Sequence, residues 1–442
     1  MSHELFVVGD AKQHVEDPGY WFSVQHELLY GFATGDGAMF TPPRNGQTAF
    51  ASTMFPYDYA EDATIVGSIT PQGVIKYGKV DSSFGAYVYA TTTHGAGTTI
   101  AGPNYADTEG RVVTYSEDGG LLWGAEYAVV GGGTWYPLHS ASDNAHVYLI
   151  GNLDEYHMVL VKVSASDGSV VFVKELYDSP AGDVSGTGVS VSSGVIYASG
   201  RIKIGAIYYC LVAAFSLDGT KLWDKRYQLS GRSIIGVHEI LEAEDGLYVA
   251  FTSRGSYDEA AVMKLDFSGD IVWCVRQASG AGTENSWVGN MVLSGADLCI
   301  GFTNSPPGYV GPFRSFFTSL VGATGASQAT REITHDTSPS VDIRPVAIEG
   351  DALYVGGRIN FGGWGDPTDY DALTVGRIPK DGNASADFGS VHVATVSAPY
   401  SFESITGSFT VVPNVLTVVS KDMTPTSITP ELVPMTTHYE IS

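Results

Sequence analysis

Cysteine is scarce in this sequence. The 442 residues include three, Cys210, Cys274 and Cys299. None is adjacent to another and none forms a CxxC pair, so no disulfide framework is encoded. Each lies in an apolar run (YYCLVAAF, IVWCVRQ, LCIGF) and reads as a buried free thiol. Basic residues are also few: 23 Lys and Arg against 48 Asp and Glu give a net charge of −25 with histidine neutral. A nucleic-acid binder carries a basic stripe, and an anionic membrane attracts cations, so neither partner is expected. Long apolar runs are missing too. Nothing approaches the ~18 residues of a membrane span. The run from Leu5 to Val8 is shorter than the ~7–15 apolar residues of a secretory signal. The expectation is a protein made in a reducing compartment, cytoplasmic or released without a leader, as virion proteins are at lysis.

Catalytic signatures are equally thin. His-Glu occurs at His3-Glu4, His26-Glu27 and His238-Glu239, but none continues to HExxH, and the eleven histidines show no ligand spacing. GAGTTIAG (95–102) has Ile100 where GxGxxG needs its third glycine. There is no GxSxG. Asp366, Asp369 and Asp371 cluster in DPTDYDAL, and Asp58, Glu61 and Asp62 in DYAED. Neither has the spacing of an EF-hand loop, and both read as solvated acidic loops rather than calcium sites. Asn383-Ala384-Ser385 is a glycosylation sequon that, without a secretory route, reads as chance. No catalytic residue, metal or cofactor is expected.

What is present is glycine, 53 residues, with 44% hydrophobic, 12% aromatic and only 16% charged residues. That is the composition of an ordered, turn-rich β protein. One phrase recurs: an apolar strand, a turn with Asp or Ser before Gly, then a strand carrying an aromatic. It reads ITPQGVIKY (69–77), SEDGGLLW (116–123), SASDGSVVF (164–172), SLDGTKLW (216–223) and DFSGDIVW (266–273). In all five the aromatic (Tyr77, Trp123, Phe172, Trp223, Trp273) follows the turn glycine by four residues. Weaker copies surround Gly325, Gly382 and Gly19. The eight glycines are spaced 54, 46, 49, 51, 50, 56 and 57 residues apart, the length of a four-stranded propeller blade. The aromatic is expected to fill the gap to the adjacent blade, and the Asp-Gly turn to reverse the hairpin in two residues. Runs such as GVIYASGR and GLYVAF alternate large and small residues. They are expected to be buried on both faces, with Gly or Ala leaving room for the next sheet.

The Asp-Gly turn followed by Trp resembles the repeats of the quinoprotein-like, Trp-docking β-propeller superfamily, over about 55–400. The resemblance implies tryptophans stacked between blades. Catalytic members are pyrroloquinoline quinone dehydrogenases that hold calcium and often carry an adjacent Cys-Cys pair. This chain has no such pair, so the resemblance implies a non-catalytic member.

The expected architecture is all-β: one toroidal β-propeller of four-stranded blades spanning 1–428. Eight blades are favoured, with 1–25 and 400–428 forming a split closing blade. Seven result if 1–61 is an appendage. Residues 429–442 read as an extended tail over the surface or onto a neighbour. Two loop-rich insertions, 302–317 and 358–371, place Tyr309, Phe313, Trp364 and Tyr370 as candidate binding residues. Fold does not choose function. The reading favoured is a non-enzymatic phage or viral particle component, such as a tail, baseplate, spike or capsid decoration. Its partners would be proteins or further copies of itself. A carbohydrate or host-surface binder and a glycan-acting hydrolase are the alternatives.

Overall fold

In the computed structural model, the described residues are 4–8, 20–25, 32–34, 39–40, 48–56, 63–69, 75–81, 88–103, 109–130, 132–154, 157–177, 182–277, 285–295, 297–305, 314–335, 340–350, 352–360, 371–379, 386–388, 391–396, 402–404, 409–413, 417–421, 423–427, 432–434 and 436–440. The described elements are all strands. Among the described residues they pair into seven sheets. Six of them are built on an antiparallel meander of four strands. The repeat copy 182–229, for example, gives Gly182–Ser192, Val195–Ile204, Ile207–Ser216 and Lys221–Leu229. The second strand is buried on both faces in Gly246–Arg254, where only Arg254 is exposed.

Each sheet packs on the next through its first strand: Ala90–His94 on Trp135–Ser142, that strand on Gly182–Ser192, and so on to Ser340–Glu349. The first sheet, 32–81, contacts both the 90–129 sheet and the 340–379 sheet. This succession is the β-propeller arrangement. The hydrophobic core is a series of layers between sheets. One layer joins Val112, Trp123 and Tyr127 to Trp135, Leu149 and Val161. Another joins Tyr248, Val262 and Trp273 to Ile300, Phe302 and Phe316. All three cysteines are free and buried, and burial raises each thiol pKa, to about 11 at Cys299.

The three tryptophans of the repeat reach across the gaps between sheets. The indole N–H of Trp123 donates to the Ala165 carbonyl (2.9 Å), that of Trp223 to Phe267 (3.1 Å) and that of Trp273 to Gly322 (2.9 Å). Each acceptor lies in the turn of the following sheet. The turn glycines have positive φ, 72° at Gly168 and 81° at Gly269. A Cβ there would stand 2.7 Å from the Trp123 ring and 2.9 Å from Trp223. Glycine is therefore required twice over, for its backbone conformation and for the ring it supports. The two-residue reversal is corrected. In 216–220 the Gly219 N–H returns to the Ser216 carbonyl (2.9 Å) and the Ser216 N–H to Thr220 (2.9 Å). This is a type I turn ended by a left-handed glycine. The Asp218 carboxylate closes it by accepting from the Thr220 N–H (3.0 Å).

The chain termini depart most from expectation. Tyr20–Gln25 pairs with Asp371–Pro379 and supplies the fourth strand of the 340–379 sheet. It follows Gly19, the weakest repeat copy. The strand after Gly382 leaves that sheet; it is only Ala386–Phe388 before Gly389-Ser390 interrupts it. The expected pairing of 1–25 with 400–428 is corrected accordingly. Val391–Val396 lies on Ser327–His335, Phe402–Ser404 on Ile271–Gln277 and Phe409–Pro413 on Lys221–Leu229. Thr417–Ser420 lies on Val170–Tyr177, Met423–Ser427 on Leu121–Val129 and Leu432–Pro434 on Ile75–Asp81. Thr436–Glu440 runs parallel to Glu4–Val8. The C-terminal segment is a belt that visits the outer edge of every sheet in reverse chain order. Twist explains the path. At about 20–25° per strand, a fifth strand is rotated by roughly 80–100° from the first, so it runs along the rim rather than along the axis.

Candidate functional site at the first strands

The first strands carry the polar residues that neither composition nor the repeat pattern explains. Five of them are interrupted by a β-bulge near the same place: between Pro137 and His139, Gly186 and Gly188, Val237 and Glu239, Val288 and Met291, and Pro345 and Ala347. A bulge bends its strand and re-aims the side chains beside it. The second strand must then yield. A Cβ at Gly151, Gly200 or Gly357 would lie 1.8, 1.9 or 2.0 Å from the carbonyl oxygen of Tyr136, Ser185 or Asp342 in the first strand of the same sheet. The expectation that such glycines make room for the next sheet is thus corrected for these three. It holds at Gly301, where a Cβ would meet Pro345 Cδ at 2.2 Å.

Bulges free backbone N–H groups, and side chains from the preceding sheet take two of them. His139 Nδ1 accepts from the Val189 N–H (3.3 Å) and Glu239 Oε2 from the Met291 N–H (2.6 Å). Between these, Gly188 brings backbone against backbone, where a Cβ would stand 3.1 Å from the Ile240 nitrogen. His238 Nε2 shares a hydrogen bond with Thr252 Oγ1 (2.8 Å). Two arginines border the pair. Arg201 donates to the Ile235 carbonyl (2.5 Å) and lies over the Tyr208 ring, and Arg344 contacts Asp342 at 3.3–3.4 Å.

The electrostatics follow from enclosure. His139, His238 and Glu239 are half-buried, and protein crowds around them. Burial lowers His139 to about 4. Burial, aided by Arg344 and Arg201, lowers His238 to about 4. Burial raises Glu239 to about 8, against the opposing pull of the Met291 N–H and Arg344. At neutral pH the histidines are neutral and Glu239 is largely protonated. The arrangement can hold a proton on the Glu239 carboxyl group near the Arg344 guanidinium. In the sequence His238-Glu239 appears only as a His-Glu pair without HExxH. The available signal was its position, a charged residue in the middle of a first strand.

Tyr309, Phe313, Trp364 and Tyr370 lie outside the described residues, as do Asp58, Glu61, Asp62, Asp366, Asp369 and Asn383. The flanking strands put both insertions between second and third strands, after Asp297–Ser305 and after Ala352–Asn360. Among the described residues no three His, Cys, Asp or Glu side chains are grouped to hold a metal. No described helix is long and apolar enough to cross a membrane.

No family model matches the chain, and no curated protein matches it. Solved structures do. A neuraminidase-like protein from A/bat/Guatemala/164/2009 is similar at 7% identity and a TM-score of 0.39, covering 86% of this chain and 97% of that one. Drosophila Semaphorin 1b, extracellular domains 1-2, is similar at 9% and 0.37, covering 79% and 86%. A glycoside hydrolase is similar at 11% and 0.33, covering 82% and 99%.

Proposed function

We propose that this chain is a non-enzymatic structural and interaction protein, a component of a phage or viral particle that makes protein–protein contacts. In this reading it is a seven-bladed propeller, closed where Tyr20–Gln25 completes the 340–379 sheet and bound round by its own C-terminal segment. The belt carries the reading. A free sheet edge is a template for unwanted pairing, and here a strand of the same chain lies along the outer side of every sheet. Such a rim suits a part packed at high local concentration beside identical parts. The first-strand groups support the same view, since His139 and Glu239 accept hydrogen bonds from the backbone of the following sheet. Tyr309, Phe313, Trp364 and Tyr370 then serve as contact residues for a partner protein or a glycan. The test is mass spectrometry of particles purified from the source, alongside the native mass of the recombinant chain. Stoichiometric copies in particles support the role. A chain absent from particles, and monomeric in cell extract, overturns it.

One feature favours a second reading, a glycan-acting hydrolase: burial raises Glu239 to about 8, the direction of shift a general acid needs. A glycoside panel tested with wild type and Glu239→Gln decides it. Turnover lost in the variant supports a hydrolase, and no turnover by wild type removes it.

A further inference from the structure

The bulges of the first strands bring charged groups of several sheets together. Glu239 and Arg344 meet on one bulge, the Gly289-Asn290 step of Asn285–Ser294. From the preceding sheet Glu239 Oε2 accepts from the Met291 N–H (2.6 Å). From the following sheet Arg344 lies across Gly289, where a Cβ would stand 3.0 Å from Arg344 Cγ and 3.1 Å from its Cδ. Glycine there lets the arginine pass over the intervening strand. Its charge is felt on the far side, where Arg344 lowers the pKa of both His238 and Glu239.

A second guanidinium arrives from the opposite direction. Ser233–Ala243 is bulged again between Ile234 and Gly236, and the Ile235 carbonyl accepts from Arg201 Nη1 (2.5 Å). Arg201 stands on Val195–Ile204, in the preceding sheet, with its guanidinium 5.1 Å from the centre of the Tyr208 ring. It too lowers the pKa of His238. The His238 ring is fixed by its 2.8 Å hydrogen bond with Thr252 Oγ1 and by Gly236, where a Cβ would stand 3.0 Å from Nε2.

The cluster is rich in donors. A guanidinium carries five N–H groups in a planar fork. Arg201 gives Nη1 to Ile235. Arg344 holds Asp342 at 3.3–3.4 Å, longer than the usual range of about 2.7–3.2 Å, and Asp342 also accepts from Thr303 Oγ1 (3.1 Å). Burial keeps Glu239 largely protonated at neutral pH. With Oε2 taken by the Met291 N–H, Oε1 is left to carry the proton. The Arg344 side chain is 40% exposed, and Arg201, His238 and Glu239 are half-buried, so small solutes reach the group. In a chain of net charge −25, two guanidiniums around one first strand are a local reversal of sign.

We propose that the bulged first strands form an oxyanion-binding site, in which the Arg201 and Arg344 guanidiniums grip the phosphate or carboxylate group of a small ligand beside His238 and Glu239. Charge-assisted hydrogen bonds from the two forks supply the affinity. The Glu239 O–H adds a donor, and the two bulges set the distance between the forks. The site goes beyond the particle role and needs no turnover.

Isothermal titration calorimetry of the full-length protein at neutral pH and fixed ionic strength tests it, with inorganic phosphate and acetate in separate runs. One saturable site per chain is expected for at least one of them, and the tighter probe names the ligand group. Arg344→Gln is expected to weaken that binding at least tenfold. Gly289→Ala leaves every charge in place but displaces Arg344, and is expected to weaken it several-fold. Lys225→Gln, which removes a charge paired with Asp270 on an outer strand, keeps full affinity. Melting with and without the bound anion checks the fold: the anion should raise the midpoint of wild type and Lys225→Gln but not of Arg344→Gln. Should Gly289→Ala melt early, Arg344→Lys keeps the charge, loses the fork and is expected to bind more weakly. No saturable binding of either anion by wild type overturns the proposal. So does equal affinity in wild type, Arg344→Gln and Gly289→Ala, or a loss in Lys225→Gln as large as in Arg344→Gln. Stoichiometric copies in particles alongside a failed titration would discard this site and keep the role.

Discussion

Removing the docking tryptophans one at a time should separate two contributions to the contact between sheets. Trp123 and Trp273 are 9% and 5% exposed, and each anchors a layer between neighbouring sheets. Changing either to Ala should cost ~3–5 kcal/mol, the range for deleting a large buried aromatic. Trp223 is half-buried, so with roughly half the area at stake Trp223→Ala should cost about 2 kcal/mol. The Phe variants isolate the hydrogen bond. The Gly322 carbonyl receives Lys264 Nζ (2.9 Å) as well as the Trp273 indole, so Trp273→Phe leaves it a donor. Trp123→Phe removes the indole donor from the Ala165 carbonyl, an additional cost of about 1–3 kcal/mol for an unsatisfied buried group. Urea unfolding followed by far-ultraviolet circular dichroism, with the slope checked for constancy, reads each value. The reasoning fails if Trp223→Ala costs as much as Trp273→Ala. It fails equally if either buried tryptophan can be lost for under ~1 kcal/mol.

Other outcomes follow from the same contacts. Ending the chain at 385 removes the outermost strand from every sheet. Amides of Leu121–Val129 and Lys221–Leu229 should lose hydrogen-exchange protection, while those of Val195–Ile204 keep theirs. Unchanged exchange in the outer strands would contradict the belt. Deleting 1–25 removes the fourth strand of the 340–379 sheet, and cooperative melting should be lost; a truncated protein with the original melting curve would refute that. Glu239 has a folded pKa, about 8, above its unfolded value. Its contribution is therefore fully present below the unfolded pKa and lost as pH rises through about 8. His139 and His238, lowered to about 4, work in the opposite direction: stability falls as pH drops from their unfolded value towards 4. Glu239→Gln keeps an acceptor for the Met291 N–H and should remove the loss on the alkaline side. Melting curves of the variant that still fall between pH 6 and 9 as wild type does would assign that loss elsewhere.

Much of the fold was legible because the repeat is local. Four short strands, a turn glycine and an aromatic four residues later all lie within one stretch of chain, so their spacing survives in the sequence. Trp123, Trp223 and Trp273 could be read as inter-sheet residues from that spacing alone. The bulges could not. A bulge at His139 or Glu239 leaves no compositional mark, and its partners, Val189 and Met291, lie 50 and 52 residues further on. For the same reason His238-Glu239 looked like an incomplete metalloprotease motif. The insertions were visible as irregular spacing, and their strands flank them as expected.

The termini draw the boundary between the two kinds of information. The sequence by itself determined an all-β chain of repeated four-stranded units and buried thiols, since each depends on residue type and short-range periodicity. Only the tertiary structure decided which strand completes the 340–379 sheet, and that the described strands from Val391–Val396 to Thr436–Glu440 are spread over the edges of the other sheets rather than gathered into a sheet of their own. Edge pairing asks little of side chains. Its bonds are between backbones, so strands of three to six residues such as FES or TVVS fit almost any free edge. Which edge they take is set by where twist and the preceding strand have carried the chain.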